Sequence, residues 1–181
     1  MIFRRRERGQ VAVLAVLLIV LFVLLAAGLI DAYTLLEARN WGYKAAQQAA
    51  MAGVSQGRDW AGLNTPLCTG GPTPIQLDWA LAQSVATDYL WAEMRDRGIY
   101  SYGADIRVLP AYNGGTEVGF PPIPVRLGAG RGNWSMVQPS VGVYLSFNTK
   151  MFLTSFIGRL TAQIQVFASA SVHQPEGACT P

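Results

Sequence analysis

Histidine occurs once in this chain of 181 residues, at His173, and cysteine twice, at Cys68 and Cys179. A zinc centre takes three or four ligands from such side chains, and one histidine with two distant cysteines does not supply them. His173 and Cys179 lie near each other in sequence, but a nucleophile pair would need Cys179 unbridged. The glycine run Gly128-Ala129-Gly130-Arg131-Gly132 lacks the Lys-Ser/Thr ending of a phosphate loop. Asp105 and Glu117 carry no sign of burial, so they do not read as an acid/base pair. No catalytic residue, metal site, cofactor or small-molecule substrate is expected, and the chain does not read as an enzyme.

Polar side chains are missing altogether from Val11 to Ile30. Twenty residues of helix reach roughly 30 Å, the thickness of a bilayer's hydrocarbon core. A cleaved secretory signal has a shorter apolar run, although Ala26-Ala27-Gly28 has the small-residue character of a cleavage site. A core helix apolar on every face would need a larger protein around it. The run is expected to be a retained transmembrane helix with lipid as its partner.

Charge is concentrated at one end. Arg4, Arg5, Arg6 and Arg8 stand against Glu7 in the first ten residues. Removing these four basic residues and one acidic residue from the 14 and 11 of the whole chain leaves ten of each sign. The basic excess therefore flanks the apolar run and does not form a nucleic-acid footprint. Arginines beside a span stay in the cytoplasm. This gives a cytoplasmic segment 1–10, a transmembrane helix 11–30 and an extracytoplasmic domain 31–181. In that compartment Cys68 and Cys179 are expected to be bridged, which would stabilise the domain by about 4–5 kcal/mol in the chain-entropy model. Two free thiols are the alternative.

The helical pattern does not stop at Ile30. AYTLLEARNWGYKAAQQAAMAGVSQG has no proline and no glycine pair, and Leu35, Leu36, Tyr43, Ala46, Ala49, Ala50 and Gly53 fall near i, i+3, i+4 spacing. One helix is expected over about 8–55, ended by Gly57. Its small-residue face, Ala45, Ala46, Ala49, Ala50 and Gly53, would let a sheet or a partner helix approach closely. A second helix is expected from Thr73-Pro74 to Gly98, with Ile75, Trp79, Ala82, Ala86, Tyr89, Leu90 and Met94 on one stripe. GADIRVLP and TEVGF are expected to form a hairpin across Asn113-Gly114-Gly115. SMVQPSVGVYLSFN and LTAQIQVFASASVH are the longest strand candidates. KMFLTSFIG between them reads as a short helix or turn, with Phe152 and Phe156 inward. The order of helices followed by strands gives α+β with an antiparallel sheet of about four strands.

Two blocks resemble the TadE/TadG-like proteins, pseudopilin-like components of tight-adherence (Flp) pilus systems. The first holds Glu7-Arg8-Gly9-Gln10, the apolar run, Asp31, Leu-Leu-x-Ala-Arg at 35–39 and the alanine-rich Ala45 to Gly53. The second, VGVYLSFNTKMFLTSFIGRLTAQIQVFASASV, is similar to the family's closing strand, turn and strand. Residues 57–135 carry no such match. The resemblance implies a pseudopilin-like fold and a bacterial pilus-assembly or minor pilin subunit that works by contact with other membrane or pilus subunits. The alternative is an accessory single-span subunit of another membrane complex. In pilin-type leaders Gly9 and Gln10 would form the junction, and the fifth residue after it would be glutamate. Here that residue is Leu14, and no acid lies between Gln10 and Asp31, which favours an uncut anchor.

Overall fold

The structure, a computed structural model, describes residues 3–60, 73–113, 115–122, 132–151 and 161–174, with side chains from residue 11 onward. Among the described residues two helices and five strands follow one another: α1 Phe3–Gln56, α2 Trp79–Asp96, β1 Tyr102–Leu109, β2 Thr116–Val118, β3 Asn133–Ser135, β4 Ser140–Lys150 and β5 Thr161–Ser171. The fold is α+β, with a three-stranded antiparallel sheet in the order β1-β4-β5 and a two-stranded sheet β2-β3.

The chain forms two compact units. The first comprises Met1–Ala38 and Thr149–Ala162. Its part of α1 has the mean hydropathy of a membrane span, 3.3 over the most apolar window, and that window is almost wholly uncovered by protein. Just past the run, the Thr34 hydroxyl donates to the carbonyls of Ile30 and Asp31 at 2.7 and 3.0 Å. A polar side chain on a helix is accommodated in this way without an outside partner.

The second unit comprises Arg39–Asn148 and Gln163–Pro181. Its sheet has two covered faces, as strand alternation dictates. Ile106 and Val108 of β1, Val141, Val143, Leu145 and Phe147 of β4, and Ile164, Val166 and Ala168 of β5 are buried. In the β1–β4 ladder Ile106 lies opposite Val143 and Val108 opposite Val141. The small residues of α1 and the buried Ala82, Ala86, Leu90 and Met94 of α2 belong to the same core. On the other face Phe120, Trp134 and Phe167 meet edge to face, with centroids 5.4–6.2 Å apart. Gly142 makes room for them: a methyl there would lie 2.9 Å from Phe120 and 3.1 Å from Trp134.

Three expectations need correction. The helix expected from Pro74 begins five residues later, at Trp79. Asp78 is its N-cap, its carboxylate accepting from the Leu81 N–H at 3.0 Å, a preferred arrangement for Asp. The preceding segment is held extended. Arg58 and Leu77 form an antiparallel bridge, and the Leu77 N–H donates to Pro110 O at 2.9 Å. Trp79 and Tyr89, expected in the core stripe, stand exposed, since the buried stripe of α2 is the narrower set Ala82, Ala86, Leu90 and Met94.

The hairpin of GADIRVLP with TEVGF does not form. All eight residues of β1 pair with β4, and Thr116–Val118 pairs with Asn133–Ser135. β4 is long and apolar enough to bury one face of β1 along its length, whereas the three-residue TEV is not. SMVQPSVGVYLSFN is correspondingly two strands, β3 and β4, separated by 136–139 with Pro139. A proline has no N–H to give a ladder.

The end of α2 is as expected at Gly98, whose φ is +70°. The Gly98 N–H reaches Arg95 O and the Ile99 N–H reaches Met94 O, both at 2.9 Å, the pair of bonds of a Schellman cap. The segment with Phe152 and Phe156 lies outside the described residues.

Candidate functional site: the two halves of helix α1

The functional candidate is α1 itself. Arg4, Arg5, Arg6, Arg8, Gly9 and Gln10 all fall within its helical backbone. From Val11 the helix exposes its apolar side chains on every side: Val11, Phe22 and Leu29 are 69, 67 and 72% exposed. Water would penalise that surface at roughly 25 cal/mol per Å². A hydrocarbon layer removes the penalty, and a helix satisfies its own backbone there. This part of α1 is long and apolar enough to cross a membrane.

Farther along, Ala45, Ala46, Ala49, Ala50 and Gly53 are buried. The contacts they allow are close. A methyl added to Gly53 would lie 2.8 Å from the Ala82 carbonyl oxygen and 3.4 Å from Val141. At Gly57 it would clash with the Ala82 Cβ, so this glycine serves helix–helix approach as well as helix ending. At Gly42 it would lie 2.7 Å from the Phe147 ring and 3.6 Å from Val166. Each larger side chain would force helix, helix and sheet apart.

Two contacts had no clear signal in the sequence. The Trp41 indole N–H donates to Glu93 Oε1 at 3.2 Å, its ring stands edge-on to Phe147 at 5.5 Å, and the Arg97 guanidinium lies 4.9 Å above it. A cation over an indole face adds attraction. Glu93 on α2 and Arg97 at its C-cap are four apart, a spacing that puts both on one face; only the adjacency of a bulky Trp41 to Gly42 hinted at a crossing. Gln174 makes the second contact. Its amide accepts from the Ile75 N–H at 2.8 Å and donates to the Ile75 carbonyl at 2.9 Å, imitating a strand partner.

The remaining candidates do not converge. His173 is exposed at the end of β5. Asp105 pairs with its strand neighbour Arg107 at 2.8 Å, a bond that raises the arginine's pKa, while Glu117 sits on β2. Burial pushes the Tyr102 phenol up. Among the described residues no three His, Cys, Asp or Glu side chains are placed to hold a metal. Cys68, Cys179 and 128–131 lie outside the described residues. Comparison with family models, with curated proteins and with solved structures returns no match.

Proposed function

We propose that the protein is a single-span membrane subunit that acts by assembly with other proteins: a TadE/TadG-like pilus-assembly or minor pilin subunit, its N-terminus cytoplasmic and its domain extracytoplasmic. The observation that carries this reading is the division of α1 into a lipid-compatible, uncovered half and a half built into a domain. Such a protein joins a folded domain to a membrane anchor and needs no reaction centre. The arginines before the span support the orientation, and the two resembling blocks support the pilus system. Its partners are other pilus or membrane subunits and lipid; nucleic acid and small substrates have no part in it.

The absent glutamate at position 14 favours the second reading, an accessory subunit of another membrane complex. Deleting the gene from the source bacterium separates the two. Loss of tight-adherence pili, restored by the intact gene, is expected from the first; unchanged piliation contradicts it. A periplasm-active reporter fused after Pro181 should be active, and activity of a cytoplasm-specific reporter there would reverse the orientation. The intact mass should remain near 19.6 kDa, whereas a mature N-terminus at Gln10 would mean that the Gly9–Gln10 junction is cut.

A further inference from the structure

The three-stranded sheet has two edge strands, and they are finished differently. At the outer edge of β1 two carbonyls are already bonded: the Gln83 amide of α2 donates to Ile106 O at 3.2 Å, and the Leu77 N–H donates to Pro110 O, just past the strand, at 2.9 Å. The same strand carries the Asp105–Arg107 surface ion pair. Charged side chains and covering elements are what keep a sheet edge from pairing with another chain. β5 lies at the opposite edge, in the order β1-β4-β5, and among the described residues no strand pairs with its outer side. Its eleven residues, Thr161–Ser171, include no charged residue, no proline and no glycine. Threonine, isoleucine, valine and phenylalanine give it a strong strand preference instead.

The direction of its backbone groups follows from one bond. The Val172 N–H donates to Pro139 O at 2.9 Å, so the even-numbered positions of β5 turn their backbone groups towards β4. Successive residues of an antiparallel strand face opposite sides. Gln163, Gln165, Phe167 and Ser169 therefore turn their N–H and C=O groups to the outer edge. Gln163 is exposed and the other three are half-buried. The side chains of Ile164, Val166 and Ala168 stay in the core, so the strand cannot slip by one residue and exchange the two sets.

We propose that the outer edge of β5, from Gln163 to Ser169, pairs with the same edge of a second copy of this chain, antiparallel about a two-fold axis. The strand itself selects this occupant. It carries no charge with which to attract an oppositely charged partner or to repel its own kind. The side chains that alternate with its core set are two amides, a ring and a hydroxyl, groups that pair with their like across strands. A two-fold contact needs such a self-complementary surface. Pairing would join two three-stranded sheets into one of six strands. This contact goes beyond the assembly role proposed above and does not depend on which membrane complex the protein joins.

Photo-crosslinking of the full chain, purified in mild detergent, tests it. p-Benzoylphenylalanine at Gln163 or Gln165 is expected to give a covalent homodimer whose cross-link maps to Thr161–Ser171 of the second copy. At Val118, which is 81% exposed on β2, it should give none. Light scattering corrected for detergent should find the unsubstituted protein at twice its 19.6 kDa, and dilution should dissociate it. Gln165→Pro removes one outward N–H from each copy and none from the ladder with β4. Two lost hydrogen bonds should raise the dissociation constant about thirtyfold, with the melting of the monomer unchanged. Gln165→Lys keeps every backbone group and brings two like charges together near the axis, so it too should weaken the dimer; it decides the matter if proline costs the fold. A monomer at every concentration overturns the proposal. So does a dimer whose cross-links map outside β5 and which ignores both substitutions.

Discussion

Between Val11 and Ile30, α1 carries valine, leucine, isoleucine and phenylalanine around its whole circumference, and nearly all of them are exposed. Between Gly42 and Gly57 its buried face is glycine and alanine except for Val54. The first half spreads large side chains outward, as a helix solvated by lipid should. The second withdraws its side chains to let other elements in. Hydrophobicity alone would rank the first half as the better core, and the structure places it in none. Size and distribution of the apolar groups decide which half meets protein: a surface that is large on all sides cannot be matched by a small domain, whereas a narrow strip of small residues can.

Enlarging or emptying the second unit should hurt, and altering the first half should not. The largest loss is expected for Trp134→Ala. It removes a buried ring that covers Gly142 and meets Phe120 and Phe167. Such truncations typically cost about 3–5 kcal/mol, read as a lower thermal midpoint of the protein in mild detergent. Next comes Ala49→Leu, which forces atoms into a fully buried site on α1. Overpacking costs about 1–3 kcal/mol. An unchanged midpoint would mean that this face is free and better explained as a docking surface for a partner helix. Trp41→Phe keeps a ring against Phe147 but loses the bond to Glu93, and about 0.5–1.5 kcal/mol should go with it. Arg107→Ala breaks an ion pair whose side chains are 50 and 38% exposed, so a change within about 0.5 kcal/mol is expected. The control is Leu18→Ala, in the exposed half, which should leave the midpoint where it is. A loss there comparable to that of Ala49→Leu would erase the distinction between the halves.

How much of this could be read beforehand follows from which interactions are local. The existence of α1 and its end near Gln56 were legible, because a twenty-residue apolar run and an alanine-rich continuation each carry a helical signal of their own; its start, expected near residue 8, lies at Phe3. Ala82, Ala86, Leu90 and Met94 were legible as the core stripe of α2, and Gly98 as its stop, since cap and stripe lie within a few residues of each other. Strand pairing was not legible. The turn chemistry of Asn113-Gly114-Gly115 favours a hairpin locally, and Asn113 does take a positive φ of 59°. The eight-residue ladder with β4 outweighs it, and that partner lies about forty residues away. The start of α2 went astray for a similar reason. Pro74 is a good first-turn residue, but the Gln174 side chain, 99 residues from Ile75, holds that backbone extended. Trp41 is visible in the sequence only as an aromatic residue on the long helix; its partners Glu93, Arg97 and Phe147 come from beyond it.

The most direct test of the central claim, that Val11–Ile30 is a lipid-embedded anchor while the rest of α1 belongs to the domain, is alkaline carbonate extraction of membranes from cells making the intact chain. The protein should stay entirely in the membrane pellet. Its release into the supernatant, alongside peripheral proteins, would contradict the account.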